Sequence, residues 1–512
     1  MEKVLKKITA KDVLITIFGI LILIGTGFFI LEKTRYLFVV DSDVLWHIKT
    51  GDWILSHGYV PKIDVFSWHE GLNWIPHEWL YDVFLSLIYG SMGLRGIMLL
   101  SLIILACRIG YVTIYNVVFK KESIWGFSIF TACMLILIGY TWAVGRPLEL
   151  TMLIILTNLI VFIKKRKKLV YYITLGVSGI IMANVHGGAI WIIFAPIAIS
   201  MIVDFVYLWK TRNTEEAKEH KELAISKLIA IGIGILASLI NPRGLEVYNY
   251  FIKMIFTGAN EATNSIGEWQ PINFISAIAG FFFLVVFVSF AFNKKTYKLD
   301  KETLTKILII SFWGVGMLRY CRMTPIFLFT VLLWGYEFVR EFVMYMVESF
   351  KLQKIFTIAK VVSINGGIIF IILTMVMGIK WFNYYFKHDE KELMKDGFPY
   401  ASIQYLKDHN VKTKIYNDDW GSWMLWNDIP TFMDGRCDPF VEEFSPGNNQ
   451  FVEAANVETL DDYLAIFEKY DIEYIFIKTD KDKKILFEST GNWETVVMEQ
   501  RAMLLKRKDV QD

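Results

Sequence analysis

Residues 41–82 read DSDVLWHIKTGDWILSHGYVPKIDVFSWHEGLNWIPHEWLYD, and this stretch decides how the rest of the chain is taken. It follows one apolar run and precedes a long series of others. Yet it carries four of the eight histidines, five of the 17 tryptophans, seven carboxylates and two prolines. Polar and aromatic chemistry on that scale, in the first loop of a chain otherwise made of apolar runs, reads as a site at a membrane surface.

With 54% hydrophobic and 16% aromatic residues and a mean hydropathy of +0.42, the 512-residue chain is too apolar for a soluble protein of its size. The net charge of +2 is close to neutral, and no nucleic-acid partner is expected. Cys107, Cys133, Cys321 and Cys437 show neither CxxC nor metal-ligand spacing, so no disulfide framework is implied. The run at 12–31 is longer than a signal-peptide core and lacks a small-residue cleavage site, which makes it a retained helix.

A bilayer is spanned by about 20 apolar residues. Runs of that kind recur near 12–31, 94–119, 123–142, 148–163, 169–185, 188–209, 225–241, 272–292, 304–319, 324–339 and 359–380. Basic clusters mark every second connection. They are Lys3, Lys6, Lys7 and Lys11; Lys120 and Lys121; Lys164 to Lys168; Lys210, Arg212, Lys218 and Lys221; Lys294, Lys295, Lys298 and Lys301; and Arg340, Lys351 and Lys354. This is the positive-inside pattern. The alternation requires residues 76–119 to make one net crossing, with 77–92 a helix at or dipping into the outer interface; the alternative, two short crossings, would put the Lys164–Lys168 cluster outside. The expected fold is therefore a polytopic α-helical membrane protein of the cell membrane, with about eleven transmembrane helices and a cytoplasmic N-terminus. Residues 1–380 form the membrane domain, including a first outer loop at 32–92, and residues 381–512 form a small extracytoplasmic α/β domain. In that last part KIYNDD, PTFMD and EYIFIKT read as strands, while YASIQYLKDH and LDDYLAIFEKY carry helical spacing.

The same parity gathers the unusual polar segments on the outer face. Asp41 and Asp43 follow the first helix, where a carboxylate acts as a general base or ligates a hard cation such as Mg or Mn. A helix beginning at Asp43 sets Trp46 and His47 over the same space, and His77 and Glu78 open the next helix after Pro76. Zinc is not implied, because His47, His57, His69 and His77 lack the spacing of a zinc motif. Arg146, Arg243, Arg319 and Arg322 lie at outer helix ends, where guanidinium forks suit phosphate oxygens. Glu149 and Glu268 are carboxylates for them to pair with, and His186 sits beside Gly187 and Gly188 at a turn between helices. Trp68, Trp74, Trp79 and Trp269 suit sugar faces or an aromatic belt equally. In the C-terminal part, Asp418, Asp419, Asp434, Gly435, Arg436 and Asp438 cluster after expected strands.

An outer-face aspartate after the first helix, an amphipathic loop helix and a polar start to the next segment resemble the GT-C superfamily of lipid-phosphosugar-dependent glycosyltransferases. The branch most resembled is that of the protein mannosyltransferases and aminoarabinose transferases. Asp43, His47, Gly58, Pro61 and the segment Ile75-Pro76-His77-Glu78-Trp79-Leu80 occupy comparable places; Val44 stands where that branch has a glutamate, and His77-Glu78 where it has a proline pair. The resemblance implies an inverting transfer from a polyprenyl-phosphate sugar to a glycan, lipid or protein acceptor. Asp43 would be the catalytic carboxylate, with Asp41 the fallback. Trp46, His47, His77, Glu78, Arg146, Glu149, His186, Arg243, Glu268, Arg319 and Arg322 would bind substrate or phosphate. The rival readings are a glycan polymerase or ligase working from lipid pyrophosphate, a lipid or polysaccharide transporter, and a non-catalytic envelope scaffold. A transporter predicts mid-membrane charge, interrupted helices and an inverted repeat.

Overall fold

The computed structural model describes residues 10–138, 145–256, 266–271, 300–395 and 397–510. The run expected at 272–292 lies outside the described residues, as do Lys3, Lys6, Lys7, Lys294, Lys295 and Lys298. Each other apolar run becomes a helix over its described residues, those at 139–142 also lying outside them. In order they are α1 (Ala10–Val40), α2 (Ser42–His57), α3 (Trp79–Thr113), α4 (Ile124–Ile138), α5 (Leu148–Ile163), α6 (Lys168–Val185), α7 (Trp191–Lys210) and α8 (Glu216–Ser238). They continue with α9 (Glu246–Phe256), α10 (Lys301–Arg319), α11 (Thr324–Ser349) and α12 (Gln353–Lys387).

Among the described residues five stretches are long and apolar enough to cross a membrane: Asp12–Ile30, Trp79–Phe119, Lys168–Val185, Gly187–Lys210 and Gln353–Lys387. Helices α4 and α5 are apolar but shorter. The runs expected at 304–319 and 324–339 lie within α10 and α11, and that at 225–241 lies in α8 up to Ser238; all three helices also carry charged residues. Some of that charge is paired inside the bundle, as where Lys227 of α8 meets Asp204 of α7 at 2.6 Å. Helix α12 leaves Ile358, Val362, Ile369 and Leu373 exposed, a surface suited to lipid. The first half of α11 is the reverse: Thr324 through Tyr336 is buried without interruption, so that part is enclosed on every side within the bundle.

Two features position the first loop. Gly93 breaks α3 with φ 61° and ψ −158°, separating 79–92 from the continuation at 94, where the sequence places the division. Helix α2 starts one residue earlier than expected, because the Asp41 carboxylate accepts the Asp43 amide at 3.1 Å and caps it. It stops at Gly58, whose φ of 76° is left-handed and whose N–H returns to the Ile54 carbonyl at 2.8 Å. Val44 and Ile48 pack on Tyr81, Leu85 and Ile97 of α3, while Leu45 packs with Trp420 and Met424 of the C-terminal part. Helix α2 is thus held between the membrane bundle and the C-terminal domain.

The C-terminal elements are α13 (Glu390–Lys395), α14 (Tyr400–Asp408), β1 (Ile415–Asn417), α15 (Gly421–Trp426), α16 (Gln450–Ala455) and α17 (Leu460–Lys469). They are followed by β2 (Tyr474–Lys478), α18 (Lys481–Ser489), β3 (Trp493–Met498) and β4 (Ala502–Arg507). The sheet has the order β1-β2-β4-β3, with β1 parallel to β2 and both other pairings antiparallel. Tyr474 to Ile477 of β2 are all buried, as expected of a strand covered on both faces. Thr459 and Asp462 close a reciprocal capping box that starts α17. PTFMD is not a strand. Thr431 makes a single bridge to Ser67, and Asp434 then turns back, its Oδ2 accepting from the Thr431 hydroxyl. That bridge ties the first loop to the sheet domain: Leu72 joins its core, and Trp68 donates its indole N–H to the Ile415 carbonyl at 3.2 Å.

Candidate active site

The helix ends nearest the first loop, that loop and the turn at 434–438 enclose a cavity of about 180 Å³. Trp74 and Trp269 line it, and so do Asp43, Trp46, His47, His77, Glu78, Arg146, Glu149, His186, Glu268 and Arg322 of the thirteen residues given catalytic or binding roles above. Three do not. Asp41 sits behind Arg146, Arg243 pairs with Glu246 at 2.5 Å in the turn before α9, and Arg319 lies at the end of α10 over the ring of Tyr320, 5.0 Å from its centroid.

Asp41, Asp43 and Glu268 converge on one guanidinium. Arg146 Nε and Nη2 donate to the two Asp41 oxygens, each at 2.8 Å, Nη2 lies 3.0 Å from Asp43 Oδ2, and Nη1 donates to Glu268 Oε1. This fork is what a planar five-donor group provides and a lysine cannot. Burial alone would lower the Arg146 pKa, but the three acids hold it well above its ordinary value. Both Asp41 oxygens are taken by the fork. Among the described residues no group of three His, Cys, Asp or Glu side chains is arranged to hold a metal ion.

Asp43 is held differently from Asp41. Oδ2 is on Arg146, and about a quarter of the side chain remains open where it lines the cavity, against 3% for Asp41. Burial pushes its carboxyl up to about 7; Arg146 opposes the shift, and Asp41 and Glu268 add to it. A carboxyl that titrates near neutrality is suited to accept a proton.

Glu78 stands at the N-cap of α3 but makes no capping bond, and the helix begins at Trp79, two residues later than the sequence suggests. Its carboxyl instead faces three imidazoles. His47 Nε2 is 3.6 Å from Oε2, and His186 Nε2 and His77 Nε2 are 3.4 and 3.8 Å from Oε1. The far nitrogen of each ring is fixed by an oxygen: His47 Nδ1 by Asp82 at 2.5 Å, His186 Nδ1 by the Thr151 hydroxyl at 2.9 Å, and His77 Nδ1 by the Ile75 carbonyl at 3.1 Å. The carbonyl can only accept, so His77 donates from Nδ1 and turns a lone pair toward Glu78. Burial keeps the three rings neutral: it holds His77 down to about 4 and His47 and His186 well below their usual range. Burial likewise pushes Glu78 up to about 8, so at neutral pH it carries a proton to offer those nitrogens.

Arg322 completes the site. It pairs with Glu268 Oε2 at 3.9 Å and lies over Trp269 at 5.5 Å. The sequence reading did not single out Asp82 or Tyr250. Asp82 is four residues from Glu78 and so shares its helix face, which is a legible signal; nothing local marks Tyr250, which reaches the cavity from α9 and stacks on His77 with centroids 4.0 Å apart. Arg436 and Asp438, noted only as a strand-end cluster, also line the cavity, whereas Asp419 pairs with Lys478 elsewhere. His57 stacks on Trp53 and His69 reaches the Phe432 carbonyl, so neither joins the site. The other polar turns are structural. Asn184 bonds the Ile180 and Ile240 carbonyls, and Asn241 accepts the Arg243 amide.

No protein-family model and no curated protein matches the sequence. Solved structures do. The chain is similar to the oligosaccharyltransferase of Archaeoglobus fulgidus tethered with an acceptor peptide containing the NVT sequon, at a TM-score of 0.51 and 11% identity over 93% of this chain and 70% of that one. It is similar to AglB of the same organism in complex with an inhibitory peptide and a dolichol-phosphate, at 0.54 and 10% over 90% and 69%. It is also similar to ArnT from Cupriavidus metallidurans bound to undecaprenyl phosphate, at 0.50 and 13% over 97% and 98%. These neighbours are GT-C membrane glycosyltransferases, and at the level of fold they bear out the resemblance carried by the first loop.

Proposed function

We propose that the chain is an inverting glycosyltransferase that moves a single sugar from a polyprenyl-phosphate donor to an acceptor hydroxyl on the outer face of the cell membrane. The observation that carries this is the pairing, in one cavity at the helix ends, of Asp43 with Arg322. One is a carboxylate with an oxygen clear of its ion pair, and the other is a guanidinium whose ion pair among the described residues is the long 3.9 Å contact to Glu268. The fold likeness supports the donor class, since neighbours of this fold were solved with dolichol-phosphate and undecaprenyl phosphate.

Asp43 takes the proton of the acceptor hydroxyl through Oδ1 as that oxygen attacks the anomeric carbon. The bond from that carbon to the phosphate oxygen breaks, its electron pair stays on the phosphate, and one displacement inverts the centre. Arg322 stabilises the charge that grows on the leaving phosphate. Arg146 is matched by three acids and so orients Asp43 rather than binding donor. Glu78 and its three histidines form a neutral wall. Arg243 and Arg319 take no part in phosphate binding.

The cavity, at about 180 Å³, is smaller than the ~300–1,000 Å³ of drug-sized sites, which favours one sugar ring over a preassembled glycan. In this reading about eleven helices cross the membrane, the N-terminus is cytoplasmic, and residues 381–512 lie outside, covering the cavity. The basic connections support that orientation. The reading is tested by incubating the purified protein in lipid with a panel of radiolabelled polyprenyl-phosphate sugars. Consumption of one donor, with an inverted product, supports it; failure of every donor refutes it.

A further inference from the structure

Gly435 lies directly against Asp43. A Cβ placed on it would overlap Asp43 Oδ1 and come within 3.1 Å of Trp46 Nε1 and 3.2 Å of Trp46 Cδ1. The oxygen it meets is not the one on Arg146, which is Oδ2. The turn that carries Gly435 is itself rigid. The Arg436 side chain is 1% exposed, donates to both Asp434 oxygens at 2.7 and 2.6 Å, and reaches Asp64 of the first loop at 2.5 Å. Its guanidinium also lies over Trp74, 4.5 Å from the ring centroid. On the other side Gly421, at the start of α15, is closed off by the backbone of Met433 and Asp434, so the turn cannot retreat.

We propose that the Asp434–Gly435–Arg436 turn is a positioning element of the catalytic site. It holds Asp43 Oδ1 toward the cavity and keeps open the lane along which the acceptor hydroxyl reaches it. This rests on the reading of Asp43 as the base. It makes the C-terminal domain part of the reaction centre rather than a detachable recognition module. Arg436 acts through the turn and does not touch substrate.

The obstacle a new methyl meets is the tip of a side chain, not backbone, so Gly435→Ala is accommodated by displacing the Asp43 carboxylate while the fold is kept. The test compares the wild-type protein in lipid with Gly435→Ala and Arg436→Lys. The measurements are thermal midpoint, binding of undecaprenyl phosphate, kcat and KM for acceptor, and the pH profile of kcat. Gly435→Ala should keep the thermal midpoint and lipid-phosphate binding but lose at least tenfold in kcat. Arg436→Lys loses the fork to Asp434 and should move the acid limb of kcat. Gly435→Ala with wild-type kcat overturns the proposal, and so does Arg436→Lys with an unmoved acid limb. If the wild type turns over no donor, the proposed function fails first; if it does and these variants match it, only the positioning role falls.

Discussion

Replacing Arg146 with glutamine should cost stability and shift the pH response together. The substitution leaves both Asp41 oxygens without their guanidinium donors, in a side chain only 3% exposed, and removes the cation from Asp43 and Glu268. Breaking a buried ion pair by deleting one partner costs about 3–5 kcal/mol, and the 20% exposure of Arg146 places this case toward the lower figure. The pH effect has a definite sign. Asp43 already sits near 7 with Arg146 holding it down, so deleting Arg146 raises it further and the ionised fraction at pH 7 falls. The acid limb of kcat therefore moves to higher pH, and raising pH restores part of the lost rate. The assays are thermal unfolding in lipid or detergent and kcat between pH 5.5 and 9. An Arg146→Gln protein with an unchanged midpoint, or an acid limb that stays or moves down, refutes the reasoning.

Wild-type kcat should follow a bell, rising about tenfold per pH unit below 7 as Asp43 ionises and falling above 8 as Glu78 does, and Glu78→Gln should remove the falling limb alone. Because the native state binds these two protons more tightly than the unfolded chain, both groups should also make the fold less stable as pH rises from about 4 to 8, measured by denaturation at each pH. Arg322→Ala should weaken donor binding, whereas Arg319→Ala and Arg243→Ala should leave it near wild type; equal losses in all three contradict the assignment. Gly51→Ala should lower the thermal midpoint, since its Cβ would strike the Asp82 carbonyl where α2 crosses α3, an overpacking cost of about 1–3 kcal/mol.

The sequence carried much of this because apolar runs and charge placement report helices directly. The break at Gly93 and the helix after Asp41 were also legible, from residue type and spacing. The ranking of Asp41 and Asp43 was not. It depends on a guanidinium 105 residues away that takes both oxygens of one and one oxygen of the other. Glu78 reads locally as a helix-start acid, and only the tertiary fold brings His186 beside it. Strand β4, AMLLKR, was missed for a different reason: its residues are strong helix formers, and pairing with β2 and β3 on both sides overrides that preference. PTFMD failed in the opposite sense, its β-prone centre claimed by the Asp434 turn.

The central claim is that Asp43 is the base of a sugar transfer from a polyprenyl phosphate, and the most direct test is turnover of a donor panel by wild type and Asp43→Asn in lipid. The account predicts that one donor is consumed and that Asp43→Asn lowers kcat by about 10²–10⁴-fold with the thermal midpoint intact. Wild-type turnover by Asp43→Asn, with the same donor and acceptor, would contradict it.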